Sequence, residues 1–426
     1  MAKQILIIGA GVFGLSTAYY AARKGHRVTV LDRGTIETEN CSYGNAGLVV
    51  PSHFVPLAAP GMVGLGLKWM LRPDSPFYVK PRFDRDLLGW GFKFWRAANA
   101  GHVSRSAPLL RDLNMASRTC FEELAELTGN AFGLEKRGVL CLCKTEHRLE
   151  EEARIAGQAR QLGLHVDVLT ARQATALDPH VALDIVGAVY FRDDCHLIPA
   201  RFMSMLKQQL VKLGVEFLWT TELTGWRLND NHIVAVRTTK GELTADEYAL
   251  CGGSWSPVAA RELRLQLPMQ AGKGYSLTLP KPRQLPTIPA ILTEARVAVT
   301  PMGASLRFGG TMEIAGLNEA VNPVRVQGII KSVPKYYPDF TPQDFDGIKP
   351  WCGLRPCSPD GLPYVGRTAC YPNLSIATGH AMMGLSLGPI TGKLMAEILS
   401  SERPSIDIEL LNPDRYARVT PTVSSP

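Results

Sequence analysis

The stretch "QILIIGAGVFGLSTAYYAARKGHRVTVLDR", residues 4–33, limits what this chain can fold into more than any other. Ile5–Ile8 is a short apolar run, the pattern of a strand buried on both faces. Gly9, Gly11 and Gly14 follow it as G-x-G-x-x-G, and Phe13–Lys24 has helical character that stops at Gly25. Arg27–Leu31 reads as a second strand ending on Asp32. Glycine triplets alone are common. Between a strand and a helix, with an acidic residue about 20 positions on, the triplet marks a dinucleotide site. Gly9 permits the tight turn, Gly11 lets a pyrophosphate approach the backbone, and Gly14 lets helix and strand pack closely. The helix start at Val12 and Phe13 offers free N–H groups and partial positive charge to that pyrophosphate. Asp32 suits the two hydroxyls of an adenosine ribose. With Arg33 behind it, a plain ribose is favoured over a 2′-phosphate.

No second strand–GxGxxG–helix unit occurs, so one dinucleotide is expected, either NAD or FAD. The segment "CSYGNAGLVVPSHFVPLAAPG" argues for FAD. It is small, stiff and almost uncharged, with His53 its only chargeable side chain apart from thiol and phenol. FAD threads its ribityl chain and ring system past the loop after the second strand, and such a loop must come close and offer backbone amides. Ser42, Asn45, Ala46, Gly47 and Leu48 fit that role, and Pro51, Pro56 and Pro60 stiffen the wall beyond. Near the C-terminus, "SIATGHAMMGLSLGPITG" reads as strand, glycine-rich turn and helix. Thr378–Ser386 would be the turn and first helical turn, aiming a helix N-terminus at the ring.

Composition narrows the setting. A chain of 426 residues exceeds one ordinary core and suggests two domains; with 20% charged and 46% hydrophobic residues it is a folded protein, not a disordered one. The net charge of +7 is mild at this size, and no Lys/Arg run exceeds two, which argues against nucleic acid as a partner. The nine cysteines are dispersed with no C-x-x-C, as in a reducing compartment, and no clustered ligands suggest a metal site. The N-terminal apolar run is short for a secretory leader, and no run of about 18 apolar residues is present. A cytoplasmic protein, at most touching a membrane surface, is expected. In "RDLLGWGFKFWRAANA", Leu87, Trp90, Gly91, Phe94, Trp95 and Ala98 fall on one helical face, and an aromatic–basic surface is expected around Trp69, Lys93, Trp95 and Arg96. Helices are further expected around Leu109–Leu127, Glu146–Leu162 and Pro199–Leu213, and residues 263–345 read as β-rich. The tail after Pro404 reads as a surface strap with a loose end.

The segments already quoted, together with "CGGSWSP", "KGYSLT", "WCGLRPCSPDGLPYVG" and "ATGHAMMGLSLGPITGKLMAEIL", resemble the D-amino-acid oxidase-like superfamily of flavoproteins over nearly the whole chain. Within it they look most like the D-amino acid dehydrogenase branch, which includes D-proline and D-hydroxyproline dehydrogenases. The resemblance implies an α/β (α+β, two-domain) architecture. Its Rossmann-like FAD-binding domain would be discontinuous over residues 1–57, 195–262 and 347–426, with an interleaved β-rich substrate-binding domain over 58–194 and 263–346. It implies further cofactor contacts at Leu223, Cys251, Gly252, Gly253, Trp255, Gly353, Gly379, His380, Met383, Gly384, Leu385 and Ser386. Arg355 in "GLRP" is implied to grip the substrate carboxylate with paired hydrogen bonds, and Tyr275 to bond that carboxylate or close the pocket. Lys273 and His53 stand as further candidates beside the ring. Cys352 and Cys357 lie where some relatives attach FAD, but their spacing to Asp360 differs from the covalent pattern, so non-covalent FAD is expected. No general base is evident. The expected activity is oxidation of a D-amino acid, with D-proline or 4-hydroxy-D-proline as candidates, and electrons passing to a quinone or another acceptor. The competing readings are an oxidase of glycine or sarcosine type using O2, a flavin-binding subunit of a larger complex, and an NAD-linked dehydrogenase.

Overall fold

The computed structural model describes residues 1–70 and 75–417. Two sheets organise it. The first has six strands in the order Tyr364–Arg367, Leu374–Thr378, Glu247–Leu250, Gln4–Ile8, Arg27–Leu31 and Glu216–Leu218. All pairs are parallel except the outermost, Tyr364–Arg367 on Leu374–Thr378. Gln4–Ile8 is buried on both sides: Ile5 and Ile7 join a core with the helix Val12–Arg23, and Leu6 and Ile8 join another with Tyr248, Leu250 and Trp226. That two-sided burial is why its sequence reads as an unbroken apolar run.

The second sheet has nine strands, eight of them in the order Trp351–Cys357, Gln270–Leu279, Ser305–Ile314, Val297–Met302, Ala290–Leu292, Val139–Cys143, Gly187–Phe191 and Val166–Thr170; the ninth, Phe77–Val79, pairs with Ser305–Ile314. Its far face packs on a cluster that includes Tyr275, Phe308, Tyr336, Tyr337, Phe340 and Phe345. Most of its neighbours are antiparallel, but Ala290–Leu292 runs parallel to Val139–Cys143.

Several expectations need correction. The strand Trp351–Cys357, placed with the nucleotide unit by the boundary at residue 347, is hydrogen-bonded into the nine-stranded sheet. The helix expected from Leu109 begins at Ala100 and runs to Leu127 with Pro108 inside it; Asn99 caps it by accepting from the His102 amide. It lies in the stretch expected to serve the substrate side, yet Ser117 Oγ donates to the Ser386 carbonyl at 2.5 Å and ties it to the C-terminal segment. Residues 263–345 also hold a helix, Pro323–Ser332, capped by Asn322. On the helix Arg85–Ala97, Trp95 leaves the apolar face: Leu87, Trp90 and Phe94 join a core, whereas Leu88, Phe92 and Trp95 are 67%, 57% and 61% exposed. At 100° per residue, positions 88, 92 and 95 share a side that 87, 90 and 94 do not. The strap after Pro404 is held by Arg415, which donates to both oxygens of Asp360 and lies over the Tyr364 ring. Its expected loose end, residues 418–426, lies outside the described residues.

Candidate active site

A cavity of about 780 Å³ runs between the two sheets, from Gly9, Gly11 and Asp32 at one end to Tyr275 and Arg355 at the other. The glycine loop is shaped as the motif requires. Gly9 has φ +109°, and a Cβ there would meet the Cys251 carbonyl oxygen at 2.6 Å. A Cβ on Gly14 would lie 1.8 Å from the Gly9 carbonyl oxygen. The Asp32 carboxylate accepts from the Ala10 amide at 2.6 Å and the Gly34 amide at 2.7 Å. Ser42 Oγ accepts from the Val12 amide, and Asn40 donates to the Ala10 carbonyl. Arg33 lies 4.0 Å over the Trp255 indole, and both line the cavity.

At the other end, residues 351–356 of the strand Trp351–Cys357 line the cavity, with Trp351, Gly353 and Arg355 sharing one face. The Arg355 guanidinium lies against Gly274, where an added Cβ would come within 2.2 Å of it. Its Nη1 donates to the Thr311 carbonyl at 2.7 Å. Thr311 holds φ +65° at a bulge, where Thr311 and Met312 face Gly274 alone. Among the described residues no carboxylate lies within ion-pair distance of Arg355. Burial pulls its pKa down, and the nearby Cys41 and Cys357 thiols counter this in part.

The other candidates divide. Val12, Phe13, Asn45, Ala46, Leu48, His53, Leu223, Cys251, Gly252, Gly253, Gly353, Met383, Gly384 and Leu385 line the cavity with those named above. Gly14, Gly47, Gly379, His380 and Ser386 stand behind the wall and do not line it. His380 is fully buried, stacks on Phe13 at 3.8 Å and pairs with Thr391 at 2.9 Å; burial lowers its pKa to about 3. Ser386 Oγ accepts from the Val50 amide and donates to Asn114. The C-terminal helix starts only at Gly388, so the wall here is a 3₁₀ turn, Ala381–Met383, and not the helix N-terminus expected.

Tyr275 lines the cavity, but its hydroxyl is already committed: it donates to Glu313 at 2.7 Å and accepts from the Asn322 amide at 3.2 Å. With both bonds in place, that hydroxyl's proton is not available to a substrate carboxylate. Lys273 is off the wall, donating to the Ala320 carbonyl at 2.7 Å with Glu313 at 3.7 Å. Trp69 turns into the cavity, 6.0 Å from Arg296, and so leaves the outer aromatic surface. Cys357 is fully buried off the wall, and the Cys352 thiol donates to the Glu319 carbonyl.

Two residues that the sequence reading passed over matter here. Trp351 fills the gap between Gly44 and Gly353, where a Cβ on either would lie 2.1 Å from its ring; the alternation of "WCGLR" carried that signal. Arg296 lines the wall from the turn between Ala290–Leu292 and Val297–Met302 with φ +55°, and nothing local in the sequence marks it.

A cavity joining a glycine-loop nucleotide cradle to the Arg355 guanidinium fits a long dinucleotide with a small acid at its far end. Comparison with known proteins agrees. The family model described as FAD dependent oxidoreductase matches residues 4–398. The chain belongs to this family. FAD, not NAD, is thus the dinucleotide. The flavoprotein is 32% identical over 423 residues to a D-amino acid dehydrogenase of Granulibacter bethesdensis, covering 97% of this chain and 100% of that one. It is also 32% identical over 421 residues to a D-amino acid dehydrogenase of Paramagnetospirillum magneticum, covering 97% and 99%. In fold it is similar to glycine oxidase from Geobacillus kaustophilus, with a TM-score of 0.78 at 22% identity over 97% of this chain and 99% of that one. It is likewise similar to L-proline dehydrogenase from P. horikoshii, with a TM-score of 0.72 at 16% identity over 98% of each. Among the described residues, no helix is long and apolar enough to cross a membrane, and no group of three or more His, Cys, Asp or Glu is placed to hold a metal ion.

Proposed function

We propose that the protein is a dehydrogenase that oxidises a D-amino acid, with D-proline or 4-hydroxy-D-proline the favoured candidates, to the imino acid and passes the electrons to a quinone. The single observation that carries this reading is Arg355: a guanidinium at the cavity wall, its pKa depressed by burial, one N–H given to a backbone carbonyl and no carboxylate partner among the described residues. Such a group is costly to bury alone and is stabilised by an incoming carboxylate. The names of the full-length relatives support the D-configured substrate.

In this reading FAD is held non-covalently. Gly9, Gly11, Val12 and Phe13 hold its pyrophosphate, Asp32 its adenosine ribose, and Ser42–Leu48 its ring side. The residues of the six-stranded sheet carry the cofactor and those of the nine-stranded sheet close over the substrate. Bound FAD supplies a two-electron acceptor at its flavin ring. The protein's own work would be to fix the substrate carboxylate through Arg355, with Tyr275, Met383 and Trp351 keeping water away. The exposed stripe Leu88, Phe92 and Trp95, flanked by Lys93 and Arg96, is the face proposed to meet an acidic lipid surface where a quinone resides. Cosedimentation with anionic vesicles should fall for Phe92→Ser/Trp95→Ser; equal binding by that variant would refute this face.

The test is anaerobic mixing with a panel of D- and L-amino acids. The flavin band should bleach with D-amino acids, turnover should proceed with a dye or quinone acceptor, and little peroxide should form in air. Bleaching by L-amino acids alone, or stoichiometric peroxide, would overturn the reading.

A further inference from the structure

Behind the cavity wall lies a chain of polar groups that carboxylate binding does not use. Ser52 Oγ donates to Asp194 Oδ2 at 2.5 Å, and the Ser52 amide donates to Asp194 Oδ1 at 3.0 Å. Ser52 Oγ also lies 3.2 Å from His53 Nδ1. Ser52 has one hydroxyl proton, and it is spent on Asp194, so His53 Nδ1 must be the donor in that contact. The His53 Nε2 lone pair is then free. That nitrogen has no partner among the described residues and is not enclosed, and His53 lines the cavity. Asp194 itself is fully buried.

We propose that His53, Ser52 and Asp194 form a proton relay that takes one proton from the substrate's ammonium group and so makes the free amine that oxidation requires. The inference rests on the amino-acid reading above. The step balances without any other reactant. An ammonium N–H bond breaks as an N–H bond forms at His53 Nε2. The Nδ1 proton passes to Ser52 Oγ, and the original Ser52 proton passes to Asp194 Oδ2. Substrate loses one positive charge and Asp194 loses its negative one. His53 touches substrate; Ser52 and Asp194 act through it.

The electrostatics suit these roles. Burial, with Arg296 second, lowers the His53 pKa to about 4, so the ring passes the proton on and does not keep it. Burial raises the Asp194 pKa to about 7 against the hydrogen bonds from Ser52, so this carboxyl can take up and release a proton near neutrality. The other charged and titratable groups facing Asp194 are Asp193, Arg118 and the thiols of Cys141 and Cys195. Arg118 favours the ionised form of Asp194 only weakly, being already paired with Glu122 and Asp193 at 3.2 and 3.3 Å.

The experiment is anaerobic stopped-flow bleaching of the FAD-loaded protein across pH at saturating D-amino acid. Wild type should gain rate through a limb near pH 7 as Asp194 ionises. Asp194→Asn should lose that limb and slow by about 10²-fold or more at pH 7, the usual contribution of a positioned base. Ser52→Ala breaks the relay while keeping both ends and should give the same profile; it carries the test if Asp194→Asn misfolds. The dissociation constant for a simple carboxylate without an ammonium group, read from the flavin spectrum, should not change in either variant. Retention of the wild-type limb by both variants, or an equal loss of carboxylate binding, would overturn the relay and leave a structural pin for the Pro51–Phe54 turn. If no D-amino acid bleaches the wild type, the functional reading itself fails, and the relay with it.

Discussion

Arg355→Ala is expected to raise the KM for a D-amino acid by roughly 30- to 3000-fold, the range that follows from about 2–5 kcal/mol for a truncated buried charge pair at about 1.4 kcal/mol per tenfold. FAD should stay bound, because Arg355 lies at the opposite end of the cavity from the glycine loop. The effect should be large for two reasons. The guanidinium is pre-aimed by the Thr311 carbonyl and laid against Gly274, so no ordering cost falls on the substrate. Among the described residues no carboxylate lies within ion-pair distance to compete for it. Arg355→Lys should recover only part of the loss, since an ammonium cannot make two parallel bonds to a carboxylate. Steady-state kinetics, with a spectral titration of a non-reacting carboxylate, would check this. A variant that binds that carboxylate as the wild type does would remove the carboxylate assignment.

Gly14→Ala should cost the protein its cofactor. The added methyl would sit 1.8 Å from the Gly9 carbonyl oxygen, and both atoms belong to backbone that is tied down. Gly9 cannot give way easily, since its amide donates to the Leu31 carbonyl at 2.8 Å and its own Cβ position is filled by Cys251. The helix Val12–Arg23 must then lift from the first strand, at a cost of about 1–3 kcal/mol or more for an overpacked site. The amides of the glycine loop would be displaced from the pyrophosphate with it. The expected result is a protein purified with less than about a tenth of the wild-type flavin, a loss equivalent to about 1.4 kcal/mol. Absorbance of the released flavin per mole of chain measures it; full flavin content in Gly14→Ala would mean that the loop does not hold the pyrophosphate.

What the sequence revealed was local. The glycine loop and Asp32 sit within one short segment whose spacing points to a dinucleotide, and the "GLRP" arginine is picked out by the resemblance; Gly9, Gly11, Asp32 and Arg355 all line the cavity. What it concealed depended on register or distance. The bond from the Tyr275 hydroxyl to Glu313, and the place of Lys273 between Ala320 and Glu313, are not legible in sequence because Glu313 comes from the facing strand beside a bulge. Asp194 and Ser52 stand 142 positions apart, so neither segment hints at the other. Trp95 falls in sequence both on the apolar face and on the expected aromatic–basic surface, because an aromatic beside the apolar stripe of a helix looks the same whether its angle is slightly in or slightly out; it is exposed.

The six-stranded sheet joins strands from the start, middle and end of the chain, with Gln4–Ile8 paired to Glu247–Leu250 and that in turn to Leu374–Thr378. A ribosome makes the first strand long before its second neighbour exists. The nascent chain therefore emerges with one open edge on this apolar strand until residue 250 has been synthesised. The last stretch of wall, Ala381–Leu385, follows later still, so the cavity is fully walled only after residue 385 has been synthesised.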